Sequence, residues 1–236
     1  MMKTLCVAAL VLSLSSVCQP ASLACEKLLQ PVDKAPDLSG RWYVIAISSS
    51  CILQLVSRVL LPSVHVEVTS KETPNVFDFL IKLKMHGLCA NETEQMFQEN
   101  NKLFDVDSNN TADGNPDLLL QTGCSDCIVT KGDSVLNLLI LFSRRTNITA
   151  AELKEFETQA ECLGLTKTQV LDSDHDFTNC LSNEDEEAGA SLLRTIQQRL
   201  NDNHAISLKC IAESSLYQGC LRVGSGNMGQ YLVNEH

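Results

Sequence analysis

The chain holds one C-x-x-C, Cys124-Ser-Asp-Cys127, and that spacing admits three chemistries. Two such thiols can act as a redox pair, supply half of a zinc site, or close on each other as a local disulfide. A redox pair normally opens a helix, whose N-terminus lowers the thiol pKa; here Ile128 and Val129 continue an extended run. A structural zinc site wants a second C-x-x-C or paired histidines, and His65, His86, His175, His204 and His236 are scattered singly. A local Cys124–Cys127 disulfide is the leading expectation, with pairing of either to Cys51, or redox use, as alternatives. Cys51 is also the candidate nucleophile, but no adjacent His or acid is evident to activate it. No Gly-x-Ser-x-Gly elbow occurs. The expectation is no enzyme, no metal and no cofactor.

The compartment follows from the same cysteines. Lys3 ahead of the apolar run Leu5–Val17 reads as a secretory leader, too short to span a bilayer. This places a signal peptide at 1–24, with cleavage after Cys18 or Ala24. Of eleven cysteines, Cys6 and Cys18 fall in the leader, and the other nine belong to an oxidising compartment, with an odd thiol left over. Cys210 and Cys220 can close a small loop. Sequons at Asn91, Asn109 and Asn147 are candidate glycosylation sites in the same compartment. The net charge of −11 and the absence of a Lys/Arg cluster argue against nucleic acid as a partner. No later run is apolar for long enough to predict a transmembrane span.

The elements that must position these groups are mostly strands. Trp42-Tyr43-Val44-Ile45-Ala46-Ile47 opens them, with Trp42, Val44 and Ala46 on one face. Val64, Val66 and Val68 alternate with polar residues; so do Phe77, Phe79, Ile81, Leu83 and Met85. A polar strand around Glu92–Gln98 and another at Lys102–Asp107 follow. Ser108–Pro116, dense in turn formers, reads as a loop. Leu118–Thr122, Cys127–Lys131 and Ser134–Ser143 complete eight strands, the last two joined by a turn at Lys131-Gly132-Asp133. In the last strand Leu136, Leu138, Ile140 and Phe142 compete with Leu139 and Leu141 for the inner face. Thr149-Ala-Ala-Glu152 is a capping box, and Leu153, Phe156, Ala160 and Leu163 form the apolar stripe of the helix that Gly164 ends. Ile52–Leu61 has helical apolar spacing and reads as a lid, or as a plug, at the barrel end. Asn183–Glu187 reads as an acidic linker, and Ala188–Asn203 as a short helix in an otherwise loosely ordered extension.

Four segments, taken in order, resemble the lipocalin group that contains alpha-1-acid glycoprotein, apolipoprotein M and the saxitoxin- and tetrodotoxin-binding plasma lipocalins. They are Cys25-Glu-Lys-Leu-Leu-Gln-Pro with Leu38-Ser-Gly40-Arg-Trp42-Tyr; Cys89-Ala-Asn91-Glu-Thr; Thr122-Gly-Cys124-Ser-Asp-Cys127-Ile-Val; and Leu141-Phe-Ser-Arg144-Arg through Glu161-Cys162-Leu-Gly-Leu to Cys180. The resemblance implies an all-β chain: an eight-stranded antiparallel up-and-down barrel with one C-terminal α-helix packed outside. It covers 25–180 as the lipocalin domain and leaves 181–236 as a C-terminal extension.

The resemblance also implies the disulfides Cys25–Cys162 and Cys89–Cys180, and a fold-holding role for Gly40, Trp42 and Arg144, with the guanidinium stacked on the indole. The expected ligand wall is Phe77, Phe79, Ile81, Leu83, Leu120, Leu138 and Ile140, with Lys82, Lys84 or Arg58 as candidates to fix an acidic or phosphate head. One lipocalin, the prostaglandin D isomerase, uses a cavity cysteine, but on the second strand, whereas Cys51 ends the first. The implied function is secreted transport of a small hydrophobic or amphipathic ligand (lipid, sphingolipid, drug- or toxin-like) in plasma, with high-density lipoprotein particles as a further partner. The alternative is a secreted, acute-phase immunomodulatory interaction glycoprotein with a plugged barrel.

Overall fold

The computed structural model describes residues 20–203 apart from positions 50, 61, 133–137, 166–167, 173, 179 and 182–185. The leader up to residue 19, the Cys210–Cys220 pair and most of the final hairpin turn lie outside the described residues. The elements run α1 (Pro20–Leu28), β1 (Gly40–Ser48), α2 (Cys51–Leu60), β2 (Ser63–Ser70), β3 (Val76–Met85) and β4 (Leu88–Glu99). Then come β5 (Lys102–Val106), β6 (Ala112–Leu120), β7 (Cys127–Lys131), β8 (Leu139–Ser143), α3 (Ala150–Cys162), β9 (Gln169–Val170) and α4 (Glu186–Asp202).

Neighbouring strands pair antiparallel from β1 through β8, and β8 pairs back to β1, so β1–β8 close into an up-and-down barrel. With α3 packed outside, this is the eight-stranded barrel and helix that the resemblance implied. The short β9 takes over the edge of β1 at Ala46 and Ile47, beyond the point where β2 departs. Closure leaves the barrel strands without a free edge.

Two breaks in register re-aim side chains. In β1, Val44 faces Phe142 and Ala46 faces Leu141, so Ile45 is the extra residue of a bulge. Ala46 therefore joins Ile45, Leu139 and Leu141 in the core under the helix, and does not share the inner face of Trp42. In the β5–β6 pair, Leu103 faces Asp117 while Asp105 faces Asp113. The bulge absorbs Gly114, at φ 71°, and Pro116, which has no N–H to give a ladder. The expected loop thus stops at Thr111, and its second half is strand. β4 is likewise longer than the polar run around Glu92–Gln98 suggested.

Two apolar cores result. Inside the barrel, Leu38, Trp42, Val66, Val68, Leu103, Leu119 and Ile128 cluster. Outside it, Leu120, Val129, Leu139, Leu141 and the two linked cysteines 124 and 127 pack under Phe156 and Ala160 of α3. The helix begins with the capping box: the Glu152 N–H donates to Thr149 Oγ1, and the Thr149 N–H to Glu152 Oε2 at 2.7 Å. It ends as a Schellman motif, in which the Leu165 N–H reaches the Ala160 carbonyl around Gly164 at φ 67°. Buried Gln159 donates to the carbonyls of Leu28 and Gln121, tying α3 to the N-terminal arm and the barrel.

Disulfides join Cys25 to Cys162, Cys89 to Cys180 and Cys124 to Cys127. Among the described residues no helix is long and apolar enough to cross a membrane.

Candidate functional site

The site is the barrel interior. Alternation puts every second residue of each strand inside, and the pairing aligns those residues into tiers. Leu38 belongs to the N-terminal arm that closes one end, and across the sheet Trp42 faces Val66, Val68 faces Phe79 and Leu119 faces Thr130. That arm is stitched down by the Val32 N–H to the Leu119 carbonyl at 2.9 Å and by Gln98 Nε2 to the Pro36 carbonyl. Ile81, Met96, Leu103, Ile128, Ile140 and Phe142 complete the apolar wall. They line a cavity of about 190 Å³.

Trp42 forms part of that wall. Its Nε1–H donates to the Leu38 carbonyl at 2.7 Å, and the Arg144 guanidinium carbon lies 3.7 Å from the ring centroid. Arg144 also donates to the carbonyls of Arg41 and Asp37. Gly40, at φ 89°, clears the way: a Cβ there would stand 2.9 Å from Arg144 Nη1. Trp42 thus both carries the Arg144 contact and lines the cavity.

Of the expected wall residues, Phe79, Ile81 and Ile140 line the cavity. Phe77 packs against the same inner core without reaching the open space. Leu83, half-buried opposite Val64 and Ala90, lies farther along β3 than the cavity extends. Leu138 is a half-buried hairpin residue whose carbonyl accepts the Gly132 N–H. Leu120 faces the other way, into the core under α3, while its neighbour Leu119 faces in. Leu118, Leu119 and Leu120 are all leucine, so only the register of β6 against β7 separates inside from outside. The same register settles β8: Ile140 and Phe142 face in, and Leu139 and Leu141 face out.

Three polar groups interrupt this wall, and the sequence reading did not single them out: Glu94, Asp117 and Thr130. On a barrel, polar alternation reads as a solvent face; only the cross-strand partners reveal that this one faces the cavity. Burial, then Glu92 and Asp105, push the Glu94 carboxyl above the usual range. Burial, then Asp105, do the same to Asp117.

The cations proposed for an acidic head are elsewhere. Lys82 sits outside, 3.2 Å from Glu67, which also binds Arg41 at 2.8 Å. Lys84 sits outside, 2.8 Å from Asp174 of the C-terminal arm. Both alternate with Ile81 and Leu83, which places them on the opposite face of β3. Arg58 lies on α2, not in the cavity wall. Among the described residues the wall carries no cation, cysteine, serine or histidine.

Other expected residues fall as follows. Asn91, Asn109 and Asn147 are all exposed. Cys51 opens α2, and its side chain lies outside the described residues. Asp126, beside the linked pair 124–127, is held by a two-pronged contact to Arg145, which also reaches Glu152 at 2.8 Å. The described part of the extension is the helix α4, docked against α2: Arg199 Nη1 donates to the Val59 carbonyl at 3.2 Å.

No protein-family model matches the chain, and no curated protein matches it. Among solved structures, the siderocalin Ex-FABP, described as functioning through dual ligand specificities, is similar over 58% of this chain and 94% of its own. The identity is 15% and the TM-score 0.48. A likeness this remote carries nothing about ligand.

Proposed function

We propose that this chain is a secreted glycoprotein of the lipocalin type that binds and carries one small amphipathic molecule in extracellular fluid. The observation that carries the reading is the hollow interior, walled by Trp42, Phe79, Ile81, Met96 and Phe142. A few polar groups, Glu94, Asp117 and Thr130, interrupt an otherwise apolar wall, as in sites that orient a ligand.

The volume restricts the ligand. About 190 Å³ is below the roughly 300–1,000 Å³ of drug-sized sites and nearer the ~150 Å³ of an engineered cavity that takes benzene. A single ring with a short chain fits better than a long-chain lipid or sphingolipid. Burying the ~150–250 Å² of one aromatic ring contributes about 4–6 kcal/mol at ~25 cal/mol per Å². Association alone costs about 4 kcal/mol or more. Apolar burial therefore gives only weak binding, and the polar head decides affinity.

The exposed sequons and the disulfides support the extracellular setting. Association with lipoprotein particles would rest on retention of residues 1–24, which N-terminal sequencing of the secreted protein tests. Carriage itself is tested by titrating Trp42, the chain's one tryptophan, with 4-phenylbutanol. Saturable change at one ligand per chain, weakened by Leu119→Phe, is expected; no change with this or any other uncharged apolar ligand would overturn the reading.

A further inference from the structure

A second cavity, of about 230 Å³, lies outside the barrel. It forms where the β8–α3 connection, the first turn of α3, the bulge of β1 and the arm from β9 onward meet. Ile45, Ile148, Leu153 and Leu171 give it an apolar lining, and Val170, which also lines it, is 46% exposed. Asp172 and His175 add polar groups. His175 uses Nδ1 on Ser63 Oγ at 2.9 Å, and among the described residues its Nε2 has no partner.

Asn147 belongs to the same lining and opens the sequon Asn147-Ile148-Thr149. The residue is exposed, yet its backbone is held on both sides. Its carbonyl accepts from Arg145 Nη1 at 3.4 Å, Ile148 packs against the core under α3, and Thr149 caps the helix. Its Nδ2 makes a long contact, 3.4 Å, to Thr146 Oγ1, which is weak as a hydrogen bond. The other sequons have no such setting. Asn91 stands on β4 opposite Lys82, and Asn109 sits in the turn that the Asp107 carboxylate holds. Neither lines this cavity or the one inside the barrel.

We infer that Asn147 carries an N-linked glycan whose first sugar, an N-acetylglucosamine, is seated in this outer cavity as part of the fold. The inference rests on the extracellular reading given above. In the secretory compartment Nδ2 bonds to the anomeric carbon of a sugar borne on a lipid pyrophosphate. The sugar–phosphate bond breaks, and the lipid pyrophosphate leaves with one Nδ2 proton. The covalent tether then starts the sugar at the cavity itself, where its effective concentration is high. Size and chemistry both fit. About 230 Å³ exceeds the ~150 Å³ that takes benzene, which suits one six-membered ring with its acetamide arm and leaves later sugars in solvent. The acetyl methyl and the C–H face of the ring match Ile148, Leu153 and Val170, while the hydroxyls and amide match Asp172 and His175 Nε2.

Glycopeptide mass spectrometry of the full protein from eukaryotic cells should find Asn147 occupied. In an Asn91→Gln, Asn109→Gln background from cells making high-mannose glycans, endoglycosidase H leaves a single sugar on Asn147. That one-sugar form should melt about 2–4 °C above the Asn147→Gln form, in which the Thr149 cap is untouched. Val170→Ser should shrink the difference between the two forms by half or more. Nuclear Overhauser contacts from the acetyl methyl should reach Leu153 and Val170. One-sugar and sugar-free forms that melt together, a difference unchanged by Val170→Ser, or an acetyl methyl without those contacts would overturn the inference. An empty Asn147 beside occupied Asn91 or Asn109 would overturn it too, and would leave the extracellular reading standing. Protein retained inside the cells with no sugar on any of the three sequons would remove both.

Discussion

The guanidinium carbon of Arg144 lies over the indole of Trp42, 3.7 Å from its centroid, and the same tryptophan lines the cavity inside the barrel. One cation thus holds the closed end of the barrel and fixes part of its wall. Arg144→Met should lower stability by about 1–2 kcal/mol, the range of a desolvated cation–π contact, with a shift in Trp42 emission. Gly40→Ala should cost at least as much, because its φ of 89° and the 2.9 Å approach to Arg144 both oppose a Cβ. Urea unfolding of both variants checks this; an unchanged midpoint for Arg144→Met would show that the stacking contributes nothing.

The disulfides should rank by the loops they close. Cys25–Cys162 and Cys89–Cys180 span 137 and 91 positions, against 3 for Cys124–Cys127. In the chain-entropy model each long one contributes about 4–5 kcal/mol and the short one about 2. Paired Cys→Ser variants should lose stability in that order. A Cys124→Ser, Cys127→Ser protein that is the least stable of the three would contradict it.

Acid should loosen the C-terminal arm. His65 is buried against Tyr43 and Phe177, and His175 shares a 2.9 Å hydrogen bond with Ser63. Burial holds both histidines below the usual 6.5. Arg41 and Lys82 add to this at His65 while Glu67 opposes it; at His175, Asp172 and Asp174 oppose it. A depressed folded pKa means that the unfolded chain takes the proton first. Stability is therefore full above about pH 6.5 and declines as pH falls below it. The raised carboxyls of Glu94 and Asp117 act in the opposite sense. Urea midpoints at roughly pH 7.5 and 5.5 should differ, and the difference should shrink in His65→Phe. Equal slopes in the two proteins would remove His65 from the account.

Leu119 and Leu120 should separate binding from folding. Leu120→Ala opens the core under α3 and should cost about 2–5 kcal/mol with little change in ligand affinity. Leu119→Phe fills the cavity and should weaken binding while the fold persists. Thermal melts and Trp42 titration on both variants would expose any reversal of these roles.

Much of the frame was legible in the chain. Period-two runs at Val64–Val68 and Phe77–Met85, the Thr149–Glu152 box and Gly164 each state a local structure that tertiary packing does not override. The interior was harder to read, since facing in or out depends on register. Leu118–Leu120 carries no alternation, the bulge at Ile45 flips Ala46, and the Gly114–Pro116 bulge hides a strand inside a turn-like sequence. Glu94 and Asp117 escaped for a related reason: a carboxyl on an alternating strand looks solvated until its neighbours across the sheet are known.

The most direct measurement is native mass spectrometry of the protein secreted from eukaryotic cells, before and after organic extraction. The account predicts one extractable small molecule per chain, with the stripped protein rebinding it at the same stoichiometry. A chain whose mass does not change on extraction, and whose Trp42 fluorescence no small amphiphile alters, would contradict it.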